Sequence, residues 1–335
     1  VDPKWHIAFC NLTVTRYAEV PYRQYYSSPE TMLEAQLRAA AAIERRFGVG
    51  AFLRPYLDCP TGTLATLLGM PHVYPEVDEL PSVDPTRPPI SDVADADRLR
   101  LGDPTKDGHM AWRWQVRECL VSRGYSTGVG GNDGSLVTTA CEVSGNSLLA
   151  GLHENPAAAR RVLDLVLEAN QRLGKLNDDL RGGPSPGAYI GDDYAGLLSP
   201  AQFREFVIPV YARVYEGKTA RFLHSELLRH EHLRIARDML GITEFHGAGA
   251  ELLTPAEMHE VMGPAFWTQV TPYELRFLTP VQLADLIAQY AQSGAGWVQL
   301  YPDRTTPDAN LEAAIAACER ECRGGPTTPV SRSGG

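Results

Sequence analysis

From residue 28 onward, apolar positions recur every three to four residues, stop at Gly or Pro, and alternate with short continuous apolar runs. The first helical stretch opens at Ser28-Pro29-Glu30. Ser28 can accept free backbone N–H groups and Pro29 suits the first helical position. Leu33, Leu37, Ala40 and Phe47 follow, and Gly48 supplies a stop. Residues 51–58 read as a short strand with a polar end, Asp58, and residues 65–69 as a short helix. Between 75 and 108, Pro75, Pro81, Pro85, Pro88, Pro89 and Pro104 exclude long regular elements, so this stretch reads as an excursion over the surface. A helix over 110–123 ends at Gly124, and strand-like, turn-rich sequence follows up to the next helix, including Gly128–Gly134. The next helix opens at Asn155-Pro156 and runs through Val162, Val166 and Leu173. A Gly/Pro turn at 182–187 then precedes a strand over 188–193.

The second half is more regular. Strands are expected at 221–224, 242–246, 266–270 and 296–301. Four helices begin at Ser199-Pro200, Thr254-Pro255, Thr279-Pro280 and Thr306-Pro307, another covers 233–240, and Pro209 predicts a kink. Strand and helix in this rhythm imply a parallel sheet, and the number of repeats favours a closed (β/α)8 TIM barrel of the α/β class. A doubly wound open sheet lacks its signature, since no GxGxxG opens a helix after a strand. The expected organisation is one barrel domain over 28–323 with the Pro-rich excursion at 75–108. A tyrosine-rich N-terminal arm over 1–27 and a disordered tail over 324–335 flank it.

Composition narrows the partners. The formal charge of −10 without a basic stripe argues against nucleic acid, and no run of about 18 apolar residues predicts a membrane span. The start as given shows no signal-peptide pattern. Cys10, Cys59, Cys119, Cys141, Cys318 and Cys322 are dispersed without a CxxC pair, which suits buried thiols in a reducing cytoplasm. Cys318 and Cys322 lie one turn apart and read as two thiols on one helix face rather than a metal-binding pair.

Side chains at the carboxyl ends of barrel strands line the active face. The inferred strand ends supply Asp58, Asp192, Asp193, His224, Glu226, His246, Gln269 and Tyr301. His224 and Glu226 share a face on an extended segment, and His246 ends the next strand, about 4.8 Å away. Two imidazoles and a carboxylate make a ligand set for a divalent metal, zinc foremost, or iron(II) or manganese. The competing reading is a pair of hydrogen-bonded histidines that position an organic substrate directly. Glu244 shares the face of His246 but lies farther from the strand end. His230 and His232 read as solvated surface residues. Asp192 and Asp193 are candidates for proton handling, against a role as anions at a helix N-terminus. Arg54 can bind a substrate carboxylate beside Asp58, or form a salt bridge within the barrel. The glycines of 128–134, with Asp133, read as a tight loop, against the alternative of a loop that admits a phosphate or tetrapyrrole edge.

Several blocks in order carry a family resemblance. Gly191-Asp192-Asp193 followed by Ser199-Pro200-Ala201-Gln202-Phe203-Arg204-Glu205-Phe206 resembles the "GDD…SPxxFREF" block of the uroporphyrinogen decarboxylase / corrinoid methyltransferase superfamily. Thr306-Pro307-Asp308-Ala309-Asn310 is similar to its "TPxxN" block, and Phe222-Leu223-His224 resembles the strand carrying the methyltransferases' "HxCG" metal motif. Leu80-Pro81 with Ile90-Ser91-Asp92 and Asp97, and Leu152-His153-Glu154-Asn155-Pro156, resemble two further blocks. The resemblance implies a barrel enzyme acting on a small molecule, with a corrinoid on a partner protein as methyl donor and a homodimeric assembly. Two departures shape the expectation. Only Tyr22-Arg23-Gln24-Tyr25 stands where uroporphyrinogen decarboxylases carry an Arg-rich block, and His224-Ser225-Glu226 replaces His-x-Cys. The last strand, Val298-Gln299-Leu300-Tyr301, carries no cysteine. The leading expectation is a metal-assisted methyltransferase, with metal at His224, Glu226 and His246, and Asp192 or Asp193 managing the proton. The alternative is a metal-independent decarboxylase or lyase acting on a small carboxylated metabolite, with Asp193, His224 and Tyr301 protonating a carbanion-like intermediate.

Overall fold

The structure, a computed structural model, describes residues 2–50, 53–131, 134–247 and 252–323. The expected tail and Asp133 lie outside the described residues. Strands occur at β1 (Lys4–Ile7), β2 (His72–Val73), β3 (Ser82–Val83), β4 (Gly187–Gly191), β5 (Ala220–His224), β6 (Glu244–His246), β7 (Phe266–Val270) and β8 (Trp297–Leu300). The chain divides into two compact units. One holds the described residues up to Pro55, His224–Arg237 and those from Thr243 on; the other holds Tyr56–Leu223 and Asp238–Ile242.

In the first unit the strands run parallel in the order β1-β8-β7-β6. β1 corrects the expectation of an irregular arm. Lys4–Ile7 pairs in register with Trp297–Leu300, so the first strand of the chain lies against the last, as ring closure requires. Every residue of β7 is buried, which marks a strand covered on both faces. Trp5, Ile7, Phe245 and Val298 are fully buried with it, each contributing about 1.5–3 kcal/mol on leaving water.

The Ser/Thr-Pro signal holds where the hydroxyl is free to cap. Thr254, Thr271 and Thr279 each accept from the backbone N–H three residues on, and the Glu or Gln at that position reaches back. The helix Pro272–Phe277 is an instance the periodicity does not reveal. Thr306 is an exception. Fully buried and bonded to Asp303, it leaves the helix Asp308–Glu321 to start at Pro307 without a side-chain cap.

The second unit is built on the helix Pro156–Arg181, capped by Asn155 and ended by Gly182 in the left-handed conformation. β4 and β5 are neighbours, and β2, just before the Pro-rich excursion, forms a short antiparallel pair with β3 inside it. Two helices, Leu136–Val143 and Ser147–Glu154, occupy a region that reads from sequence as strand-like and turn-rich. Pro209 lies just past a π-helical turn over Phe203–Val207, the kind of widened turn that accommodates a missing N–H inside a helix. The tight-loop reading of the glycines is explained by Asn177. Its Oδ1 accepts from Val129 N at 2.8 Å and Gly130 N at 2.9 Å, and a Cβ on Gly128 would lie 2.4 Å from that oxygen.

Candidate active site

β6 is three residues long, and its alternation buries Phe245 on one side while Glu244 and His246 share the other. Glu244, the competing candidate, is taken by the indole of Trp267, which donates to Oε1 at 2.5 Å. His246 is buried and lies beside His224 at the end of β5. Their Nδ1 atoms are 3.1 Å apart, and His224 Nδ1 is also 3.1 Å from the His246 carbonyl oxygen. A carbonyl only accepts, so His224 Nδ1 carries a proton shared between the carbonyl and His246 Nδ1. That leaves His224 Nε2 as the basic nitrogen and places the His246 proton on Nε2. Ser225 N donates to the same His246 carbonyl at 3.2 Å, fixing the two strand ends together.

The residues next to this pair line a cavity of about 630 Å³ at the carboxyl ends of β5 to β8. Glu226 follows His224, Gly247 follows His246, β7 contributes Thr268 and Gln269, and Tyr301 follows β8. Gln269 and Gln299 are in register on neighbouring strands, and Gln299 Nε2 donates to Gln269 Oε1 at 2.5 Å. Tyr301 OH accepts from Cys10 Sγ at 3.7 Å. The structure thus gathers His224, Glu226, His246, Gln269 and Tyr301 at one face of the first unit. Cys10 and Gln299, absent from the candidate set, join them. Cys10 escapes notice because it follows β1, which is hidden in the supposed arm.

Asp192 behaves differently. It is fully buried in the second unit and accepts from Val137 N (2.7 Å), Thr138 N (2.9 Å), Thr138 Oγ1 (2.8 Å) and Tyr211 OH (3.0 Å). It therefore secures the first turn of the helix Leu136–Val143, as the helix-anion reading allows, although the helix lies far back in sequence rather than next in line. Burial outweighs these four donors and pushes its carboxyl up to about 6. Asp193 is half-buried and leads into the turn Tyr194–Leu197. Arg54 and Asp58 do not share a regular strand: Arg54 is exposed, while Asp58 is buried, with Tyr56 OH donating to it at 3.4 Å.

His232 corrects the expectation of a solvated residue. It is fully buried, and its Nδ1 accepts from Arg229 N at 3.3 Å. His230 lies 3.5 Å from Glu260. The second unit also holds a thiol–imidazole cluster that no local motif announces. Cys59 Sγ is 3.4 Å from His109 Nδ1, Tyr74 OH is 3.3 Å from His109 Nε2, and the His72 ring centroid is 4.2 Å from that of His109. Burial pushes the His109 imidazole down to about 4 and the Cys59 thiol up, so this pair stays neutral. Of the cysteines, Cys141, Cys318 and Cys322 are buried and Cys10, Cys59 and Cys119 partly so.

Among the described residues, no group of three or more His, Cys, Asp or Glu is placed to hold a metal ion. None of the described helices is long and apolar enough to cross a membrane.

Comparison with known proteins follows the same lines. The family model described as "Uroporphyrinogen decarboxylase (URO-D)" matches residues 9–232. A solved methyltransferase from Methanosarcina mazei superposes with a TM-score of 0.68 at 17% identity, covering 95% of this chain and 94% of its own. At that identity the likeness speaks for the fold, an α/β (β/α)8 barrel. Comparison with curated proteins gives no match.

Proposed function

Because the chain belongs to the uroporphyrinogen decarboxylase family, we propose that it is a methyl-group transferase whose reaction takes place in the cavity at the ends of β5 to β8. The observation that carries this reading is the hydrogen-bonded His224–His246 pair beside that cavity, on the strand that resembles the one carrying the methyltransferases' metal motif. The fold likeness to a methyltransferase supports it. In this reading an acceptor X–H enters the cavity and gains the methyl carbon as the donor bond breaks, and its proton passes to His224 Nε2. His246 shares the positive charge through the Nδ1–Nδ1 contact, and its carbonyl fixes the His224 ring. Gln269 and Tyr301 supply hydrogen bonds that orient the substrate. A corrinoid on a partner protein is the donor that the resemblance suggests.

In this reading His224 Nδ1 stays engaged with a carbonyl, and no step is routed through a metal. A divalent ion held by these three residues is the second reading. It is favoured by the 3.1 Å between the two Nδ1 atoms, a separation that two nitrogens bound at roughly 2.0–2.1 Å to one zinc ion can share.

The test is methyl transfer from methylcobalamin to a panel of thiols and amines, followed spectroscopically, with metal content measured on the same sample. Transfer that falls about 100-fold in His224→Ala supports the assignment. Carbon dioxide release from carboxylated metabolites without any methyl transfer would replace it with the decarboxylase reading. Stoichiometric metal, with activity lost in chelator, would establish the second reading.

A further inference from the structure

The lining of the active-site cavity carries charge of one sign. Glu226 and Glu274 bring carboxylates, Tyr273, Tyr290 and Tyr301 bring phenol rings, Met258 brings a polarisable thioether, and among the described residues the lining contains no Lys, Arg or His. Glu274 is held in place. Its Oε2 accepts from Thr271 N at 2.7 Å and Thr271 Oγ1 at 2.8 Å, and Tyr290 OH lies 3.5 Å from Oε1. It is half-buried, and among the described residues it forms no ion pair, in contrast to Asp308 with Arg16 and Arg46 elsewhere in the same unit. Capping a short helix does not require this charge. Gln282 completes the same capping box at the helix Pro280–Gln292 as a neutral amide. Burial and the neighbouring carboxylate push the Tyr290 hydroxyl up, so it stays protonated beside Glu274.

A separate observation points the same way. Gln299, only 2% exposed, donates its amide N–H to the cavity-lining Gln269, and its Oε1 is a buried acceptor with no partner among the described residues. The carboxylates and phenol rings of the lining, with a spare carboxamide oxygen on the partner of Gln269, favour a hydrogen-bond donor or a positive charge, and the two carboxylates disfavour an anion.

We infer that the cavity selects an organic cation, a small substituted ammonium, as the small-molecule partner of the methyl transfer proposed above, on which reading this inference rests. The ammonium occupies the side of the cavity lined by Glu274 and the tyrosines, and a donor group on the ligand reaches toward the Gln269–Gln299 pair. A volume of about 630 Å³ leaves room for a larger body attached to the ammonium.

Calorimetric titration of the full chain tests this without reference to turnover. The probes are choline, its uncharged isostere 3,3-dimethylbutan-1-ol and the anion 3,3-dimethylbutanoate, at low ionic strength. Choline is expected to bind at least about tenfold more tightly than the alcohol, with no binding of the anion. Glu274→Gln keeps the cap and should remove most of that preference, whereas Thr271→Ala loosens the cap and should retain it. Equal binding of choline and alcohol, a preference for the anion, or no binding of choline at millimolar concentration would overturn the inference. Any of these with methyl transfer intact leaves the proposed reaction standing. Choline selectivity without methyl transfer to or from any tested compound upholds the cation site and removes the reaction.

Discussion

Asp192 follows β4 and the His224–His246 pair ends β5 and β6, and both look reactive in sequence, yet they have opposite surroundings. Asp192 has no exposed surface and four donors within 3.0 Å, so its lone pairs are spent on holding a helix. The histidines bond to each other and to one carbonyl, and their chain neighbours border open space. A polar group whose partners are all protein atoms maintains structure, whereas one that adjoins a cavity can change partners during a reaction.

The largest effect that can break this contrast is expected from Asp192→Ala. It strands several buried donors and should cost about 3–5 kcal/mol in denaturant unfolding. A loss below about 1 kcal/mol would show that the anchor is not structural. The pH dependence sharpens the same point. The folded carboxyl titrates near 6, above its ordinary 3.8, so its contribution to stability is complete below about 3.8 and is lost as pH rises through about 6. The parent should therefore gain on Asp192→Asn by up to roughly 3 kcal/mol between pH 7 and pH 4, read as diverging melting temperatures. His109, whose folded value is lowered by burial to about 4, runs the other way, with stability present above about 6.5 and lost toward 4. It is common to both proteins and cancels in the comparison.

On the other side of the contrast, His246→Ala should lower turnover by about 100-fold while changing unfolding free energy less than Asp192→Ala does. A proportionate loss of both would make the pair structural. Tyr211→Phe removes one of the four donors to Asp192 and should cost about 1 kcal/mol. Arg54→Ala, at an exposed position, should stay within about 0.5 kcal/mol and leave activity unchanged if Arg54 binds no substrate.

The sequence by itself determined what depends on near neighbours. Alternation of short apolar runs with helical spacing identified the α/β barrel, and Phe266–Val270 appears as a strand where the apolar run predicts one. Ser28, Asn155, Ser199, Thr254 and Thr279 cap helices because a hydroxyl or amide before Pro reaches N–H groups only three residues away. Polar residues at strand ends were also legible as a set, since carboxyl ends of parallel strands converge wherever the barrel closes.

Tertiary structure alone decided which of those residues face a cavity and which are spent. β1 is four residues long, and its partner β8 lies almost the whole chain away, so no local pattern distinguishes it from an arm. Asp192 draws its donors from Val137 and Thr138, and Cys59 meets His109 across a separation of 50 residues. Thr306 carries the same Thr-Pro signal as the capping threonines, yet burial and Asp303 divert its hydroxyl. Caps and periodicities are short-range and written in adjacent residues. Burial and hydrogen-bond saturation arise only when distant segments pack, and they separate a reactive group from a structural one.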